Sequence, residues 1–449
     1  MKRELAIVLV VTFALVALLT APLATPYWWD DGAVYAPGAK WLVDHGWGAW
    51  PGAFPSDLSR GHTPLFYVML AIMYRVVGAG PVAGHVLVFA FAWGSLVFTY
   101  LLARHMFDPI AGALAVALLV ASPLFQTMSS MALPEIAMTA LTAASFYAFA
   151  KGRIGITAIL GVVLVLVKEV GIACPLAIAG ALFFEEPRNV KRVAIALVPA
   201  GVLALFFAYQ KHAEGWFVLP YHAGLFKEEH SLALQFGRVA QSIFVSDGRV
   251  FAVATAIALA AYKRFTFGNR NVVVAFGLFT LMNLVFFAKM FFLERYVLPV
   301  HVGVVVLCGG ALALVRVPGV AATIVAVAIA FARRNAGTDL ASGETTFRYM
   351  HAVRAHQALF AKLGADHVVL TDWPVTDELR FPFLGWVKTP TQCVHVDMDG
   401  DTPSTSVDRV IAVRNLGSYE KLQRKARERG FVIKERIEDG PAEIELWAP

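Results

Sequence analysis

Residues 4–31 read ELAIVLVVTFALVALLTAPLATPYWWDD, an apolar run that ends a few residues before two adjacent carboxylates, Asp30 and Asp31. A helix needs about 20 apolar residues to cross the hydrocarbon core of a bilayer. The run from about residue 5 to 25 meets that length, so the fold is expected to begin with a membrane span. Lys2 and Arg3 precede it, as basic residues precede a secretory signal. The run is long for a signal peptide and lacks a small-x-small cleavage site before Tyr27, so a retained signal anchor is expected.

Similar blocks recur at 82–102, 109–128, 136–150, 154–168, 172–185, 193–210, 249–262, 272–289, 296–314 and 317–332. They predict an all-α polytopic bundle of about eleven transmembrane helices. The stretch 64–78 (PLFYVMLAIMYRVVG) is short and carries Arg75, which predicts an interfacial helix rather than a span. Composition agrees: the chain is 58% hydrophobic and 16% charged, against about 45–50% and about 25% in soluble domains. The formal charge of +6 comes from Lys and Arg in the connecting loops, with no basic run interleaved with aromatics, so nucleic acid is not an expected partner. Cys174, Cys308 and Cys393 are too scattered for a disulfide framework or a Cys-x-x-Cys metal site.

Orientation follows from cations in short loops. With the N-terminus inside, Arg104, Lys151 and Arg153, Arg188, Lys191 and Arg192, Lys263, Arg264 and Arg270, and Arg316 fall in cytoplasmic turns, while the outward turn 129–135 (SSMALPE) has no cation. Arg333 and Arg334 run against this pattern. Three large outward segments result: 26–81, 211–248 and the tail from 335. The tail alternates β-branched runs (HVVLTD, DRVIAVRN, FVIKER, AEIELWAP) with a charged helical stretch, YEKLQRKARERG, and predicts a small soluble α/β domain. The chain thus divides into a membrane domain, 1–334, and an extracytoplasmic domain, 335–449. The implied location is a prokaryotic-type plasma membrane, crossed many times.

Charged residues at the edge of a membrane need a reason. Tyr27, Trp28 and Trp29 are expected as interfacial anchors. Asp30 and Asp31 admit two readings from the residues alone: one caps the helix over GAVYAPGAKWLVDHG, or the pair does chemistry with its two pKa values pushed apart. On the same predicted face lie His62 in GHTPLFY, Glu135 after Pro134, Lys168 with Glu169 in VLVLVKEVG, and Arg295 in LERYVLPVH. Each alone could be a snorkelling side chain. Together, cations beside acids at that depth suit a phosphate held at the membrane surface.

These segments resemble the GT-C superfamily of glycosyltransferases, in the branch of the protein O-mannosyltransferases and aminoarabinose transferases (ArnT-like). WDDGAVYAPGAKWLVDHGW is similar to the family's Asp-Glu loop, GHTPLFY to its His-Pro-Pro-Leu segment, MALPEIAMTAL to its acidic second outward loop, VLVKEVG to its Lys-bearing turn and LERYVLPVH to its late Arg-Tyr-Leu-Pro stretch. The chain departs from the pattern at Asp31, where the family has Glu, and at Thr63, where it has Pro. The resemblance implies an inverting hexosyl- or pentosyltransferase that moves a sugar from a polyprenyl-phosphate donor to a hydroxyl of a protein, lipid or glycan. It implies Asp30 as general base, with Asp31 beside it in the catalytic pair. Lys168 and Arg295 would hold the donor phosphate, and His62, Glu135 and Tyr35 would support substrate or metal. A divalent cation on Asp31, Glu135 and His62 is compatible with the family; no other cofactor is implied. The 211–248 segment, with Trp216, Tyr221, His222, His230 and a KEEH run, is expected to shape a pocket or to lie as an amphipathic surface helix. A transporter of lipid-linked material is the alternative, as is a non-catalytic membrane scaffold. A transporter favours midplane ionisable groups and repeat symmetry, and this sequence shows neither.

Overall fold

The computed structural model describes residues 2–185, 189–225, 231–263, 268–314, 345–364, 366–396, 406–414 and 418–449. Among them, five helical stretches are long and apolar enough to cross a membrane: Pro81–Met106, Val190–Glu214, Leu232–Tyr262, Arg270–Ala288 and Glu294–Ala313. Shorter apolar helices complete the bundle, including Lys2–Leu19, Pro109–Ala121, Pro134–Ala150, Ile154–Val167 and Ala173–Glu185. Prolines open the helices at 81, 109 and 134, where the missing N–H is one the helix cannot bond anyway. Asp108 also accepts from the Ala111 N–H at 2.8 Å to cap its helix.

Pro134–Ala150 is buried on nearly every side, as a helix apolar all round should be. Close approach elsewhere uses small residues. A Cβ at Gly309 would stand 2.6 Å from the Ala111 carbonyl oxygen, so only glycine lets the Leu298–Ala313 helix lie against Pro109–Ala121. The outer surface is apolar instead, with Val10, Val76, Ile159, Leu205 and Tyr262 all exposed, as a lipid-facing surface requires.

One expectation needs correction, and two segments add detail to the others. The span over 109–128 is broken at Pro123, which starts a separate Pro123–Met128 helix, because the residue before a proline is driven out of the helical region; Ser122 has ψ 120°. The outward segment 211–248 is helical for much of its length, and Leu232–Phe244 buries Gln235, Val239, Ser242 and Ile243 along one stripe. It bends into Arg249–Lys263 at Ser246–Gly248, where Asp247 is left-handed and the buried Arg249 guanidinium donates to Asp247 (3.0 Å) and the Ile243 carbonyl (3.1 Å). The helix Arg249–Lys263 then runs where the span 249–262 is expected. In the tail, the helix Tyr349–Leu363 and the strand Gln392–His395 add to the expected elements.

The stretch expected at the interface forms Leu65–Val77, about 20 Å long at 1.5 Å per residue, short of the ~30 Å hydrocarbon core. It buries Phe66, Tyr67, Leu70, Ala71 and Tyr74 on one face. The expected span 317–332 and the cations Arg316, Arg333 and Arg334 lie outside the described residues.

The tail forms one five-stranded sheet: β1 (Val368–Thr371), β2 (Gln392–His395), β3 (Arg409–Val413), β4 (Val432–Asp439) and β5 (Ala442–Ala448), in the order β2-β1-β3-β5-β4. The first three are parallel; β5 runs antiparallel to β3 and β4. Alternation divides the strands between two cores. Val410, Ala412 and Trp447 pack with Leu422 and Ala426 of the Tyr419–Glu428 helix, while Ile411, Val413, Ile444 and Leu446 face the Tyr349–Leu363 helix. The latter core is continuous with that of the bundle, so the sheet domain is seated on the membrane domain.

Candidate active site

The acid pair sits where the chain turns from one helix into the next. Trp29 has φ 59°, a left-handed conformation that a bulky residue adopts only under constraint. Asp31–Tyr35 then forms a single wide π-turn that runs into Ala36–His45; such turns recur at functional sites. Asp30 stands at the cap position, yet its carboxylate makes no cap hydrogen bond. Of the two readings of this residue, the structure removes the capping one.

The Asp30 carboxylate accepts instead from Arg295, Nη2 to Oδ2 at 2.5 Å, across 265 residues of sequence. Arg295 lies in the short turn Glu294–Val297 that leads into the Leu298–Ala313 helix and is 4% exposed. Its Nε lies 3.6 Å from Glu135 Oε1, and the same oxygen accepts from Lys168 Nζ at 2.6 Å. Tyr296 floors the group, with Lys168 Nζ 4.7 Å and the Arg295 guanidinium 5.5 Å from its ring centre, inside cation–π range. Glu135 is in the first turn of its helix, Lys168 just past the end of Ile154–Val167, and Arg295 just before Leu298. All the charges thus gather at helix ends, where the backbone itself is unsatisfied.

The two aspartates differ in environment. Burial works against ionisation of Asp30, but the touching Arg295 reverses this and holds its carboxyl below the usual value. Asp31 is 1% exposed. Burial pushes its pKa well above the ordinary range, opposed chiefly by the Ala132 N–H, which donates to Oδ2 at 3.2 Å. Its Oδ1 is buried without a hydrogen-bond partner among the described residues. The pair therefore has one ionised, partly open member and one sequestered member, a division that suits unequal roles.

His62 lies next to this centre, 3.0 Å from Glu169 Oε1 through Nδ1. Burial alone would raise the Glu169 pKa, and His62 beside it brings the carboxyl down to about 2. Tyr35 stacks on His62 with ring centres 6.5 Å apart, and His222 approaches from the other side at 5.4 Å. Asp30, Glu135, Lys168 and Arg295 thus form one connected cluster, and Tyr35 and His62 line its flank. Asp31, Glu135 and His62 each contact a different partner (the Ala132 N–H, Lys168 and Glu169), and among the described residues no three His, Cys, Asp or Glu side chains are grouped to hold an ion.

Residues outside the expected set hold the acid loop in place. The Tyr27 N–H donates to the Leu384 carbonyl at 3.0 Å, and Trp386 Nε1 donates back to the Tyr27 carbonyl at 2.9 Å. Trp28 packs against His356 and Trp386, and Trp29 against Trp373 with centres 4.6 Å apart. The aromatics expected as interfacial anchors are therefore the docking face for the sheet domain. Tyr296 and Trp386 were missed because an aromatic beside an Arg, or in a loop such as FPFLGWVK, carries no distinctive spacing. His230 and the KEEH run lie outside the described residues.

By sequence, the chain matches the dolichyl-phosphate-mannose-protein mannosyltransferase family over residues 61–210. That stretch contains His62, Glu135 and Lys168, and leaves out Asp30, Asp31 and Arg295. No curated protein matches the chain. Among solved structures, ArnT from Cupriavidus metallidurans bound to undecaprenyl phosphate aligns over 99% of this chain and 98% of its own, with a TM-score of 0.63 at 14% identity. Its apo state gives 0.62 at 15% identity over the same shares. The oligosaccharyltransferase of Archaeoglobus fulgidus, in complex with zinc and sulfate, gives 0.54 at 13% identity over 92% of this chain and 69% of its own. The ArnT alignment runs through bundle and sheet domain alike. The chain accordingly has the GT-C glycosyltransferase fold in its ArnT-like form.

Proposed function

We propose that this protein is an inverting glycosyltransferase that moves a sugar from a polyprenyl phosphate to an acceptor hydroxyl at the extracytoplasmic face of the membrane. The observation that carries the reading is the contact of Asp30 with Arg295, which joins an ionised carboxylate to a cation at the buried end of a helical bundle. The fold's likeness to ArnT bound to undecaprenyl phosphate supports a lipid phosphate as the donor's leaving group.

Asp30 takes the proton of the acceptor hydroxyl as its oxygen attacks the anomeric carbon. The bond from that carbon to the phosphate oxygen breaks, and its electron pair stays on the phosphate. A base so placed contributes about 10²–10⁴-fold. Lys168 and Arg295 hold the phosphate and stabilise the charge it gains, so no strong general acid is needed. Arg295 also links the two halves of the step. As the phosphate draws the guanidinium away, the Asp30 carboxylate loses its partner and becomes a better base. Asp31, largely withdrawn from solvent, fixes the loop through Ala132. The acceptor is a protein, lipid or glycan hydroxyl; direct displacement inverts the sugar carbon. The gathering of charges at helix ends, away from mid-helix positions, speaks against a transport pathway.

The test reconstitutes the full chain with polyprenyl-phosphate sugars and a panel of hydroxyl acceptors, comparing wild type with Asp30→Asn. Loss of transfer with donor binding retained or tightened is the expected result. Equal turnover in both proteins would remove Asp30 as base, and lipid movement without a new glycosidic bond would replace the enzyme by a transporter.

A further inference from the structure

Three cations act on Asp30: Arg295, Lys168 and Arg60. The first two are engaged, by Asp30 and by Glu135. Arg60 is half-buried, and among the described residues its guanidinium has no hydrogen bond or ion pair.

The backbone around Arg60 is firmly built. It ends the Ser56–Ser59 turn with φ 49°, its N–H donating to the Ser56 carbonyl at 2.8 Å. A non-glycine residue holds that conformation at a cost. Gly61 follows with φ 73°, so close to Trp216 that a Cβ would stand 3.0 Å from its ring. The Tyr67 hydroxyl lies 3.2 Å from both the Leu58 and Ser59 carbonyls, and the His62 N–H donates to Ser59 at 2.9 Å. Besides Asp30, Arg60 acts on Tyr67, on His222 from the 211–248 segment and on Asp377 from the sheet domain. Trp216, Tyr67 and His62 therefore brace a strained turn whose guanidinium has no hydrogen bond or ion pair among the described residues.

Its neighbours say what it is for. Asp30, Glu135 and Glu169 contact Arg295, Lys168 and His62 respectively, so none of these three acids holds Arg60. A phosphodiester-linked sugar carries one negative charge, and the phosphate released carries more. Guanidinium matches two phosphate oxygens with its planar fork. We infer that Arg60 binds the phosphate of the polyprenyl-phosphate donor directly, as a third cation held in reserve beside the catalytic acid. This rests on the lipid-phosphate reading above and adds to it a residue outside the acid pair and its two paired cations.

The experiment measures undecaprenyl phosphate binding to the full chain in nanodiscs, for wild type, Arg60→Ala and Arg60→Lys, with donor and acceptor KM measured alongside. Arg60→Ala should weaken lipid-phosphate binding by about 10–100-fold, the span of one charge-assisted contact, and raise donor KM while acceptor KM stays fixed. Arg60→Lys should recover part of the loss, since it keeps the charge and loses the fork. Melting temperature should hold, because no hydrogen bond or ion pair of the protein is removed; should Arg60→Ala fail to fold, Arg60→Lys carries the comparison. Unchanged lipid-phosphate affinity in these variants overturns the assignment, as does a rise in acceptor KM alone, which would make Arg60 a receptor for an acidic acceptor. Failure of wild type itself to bind undecaprenyl phosphate would instead overturn the donor class.

Discussion

Replacing Lys168 by Met and Glu135 by Leu, singly and together, separates what this buried ion pair does for the fold from what it does for chemistry. The two side chains are 7% and 2% exposed and meet at 2.6 Å. Removing one partner of such a pair leaves an uncompensated buried charge and costs about 3–5 kcal/mol. Lys168→Met should fall at the lower end, because Arg295 Nε remains 3.6 Å from the same Glu135 oxygen. Glu135→Leu should fall at the upper end, since it strands Lys168 against the Tyr296 ring and takes an acid from Arg295 as well. The double replacement removes both charges and keeps the volume, and such swaps are about neutral or stabilising by up to ~4 kcal/mol. Stability should therefore return in the double variant, giving a coupling of several kcal/mol between the two sites. The measurement is unfolding of the purified full chain in one fixed detergent, with sugar transfer assayed on the same samples. Transfer should stay lost in the double variant, because the cation proposed to hold the phosphate is gone however sound the fold. Simple addition of the two single losses would refute the coupled pair. Recovered transfer in a stable double variant would refute a role for Lys168 at the phosphate.

Two further outcomes follow from the site's surroundings. Trp386→Phe keeps a ring but removes the N–H that reaches the Tyr27 carbonyl at 2.9 Å, leaving a buried acceptor unmet at a cost of about 1–3 kcal/mol; turnover should drop with undecaprenyl phosphate affinity unchanged, and an unaltered kcat would mean that the sheet domain does not position the acid loop. Acid should unfold the protein in two stages. His222 is held down to about 4, mainly by burial and then by His62, so between its ordinary value near 6.5 and 4 the unfolded chain binds the extra proton and stability is lost as pH falls. Glu169, held down to about 2, contributes fully above its ordinary value of 4.5, and that contribution is lost as pH falls from 4.5 towards 2. Melting curves of His222→Gln and Glu169→Gln across pH 2–7 should each flatten their own stage, and curves that coincide with wild type would refute the assignment.

Much of this architecture is legible in the sequence because apolar blocks and period-two strands are local signals. The bundle, the Leu65–Val77 helix and most strands of the tail follow from them. The bend at Ser246–Gly248 is not local: it depends on a buried Arg249 satisfying the Ile243 carbonyl and Asp247, and no spacing rule announces that. The Tyr349–Leu363 helix escaped notice because its mixed sequence, YMHAVRAHQALFAKL, becomes apolar only on the face turned to β4 and β5.

The site divides along the same line. Charged residues interrupting apolar sequence mark Asp30, Glu135, Lys168 and Arg295 one at a time, since each is costly where it stands. Who pairs with whom is set by helices meeting in space, 33 residues apart for Lys168 and Glu135 and 265 for Arg295 and Asp30. That pairing alters the chemistry read from the residues. As separate letters, Asp30 is a base and Arg295 a phosphate ligand. In contact, each suppresses the other: Arg295 weakens Asp30 as a base, and Asp30 occupies the fork that the phosphate needs. In the proposed mechanism, donor binding is then what arms the base, because the phosphate must displace Asp30 from Arg295 before the carboxylate can accept a proton. A site built this way keeps its base weak until the lipid phosphate arrives, and the sheet domain, by gripping Tyr27, Trp28 and Trp29, keeps Asp30 within reach of Arg295 in the meantime.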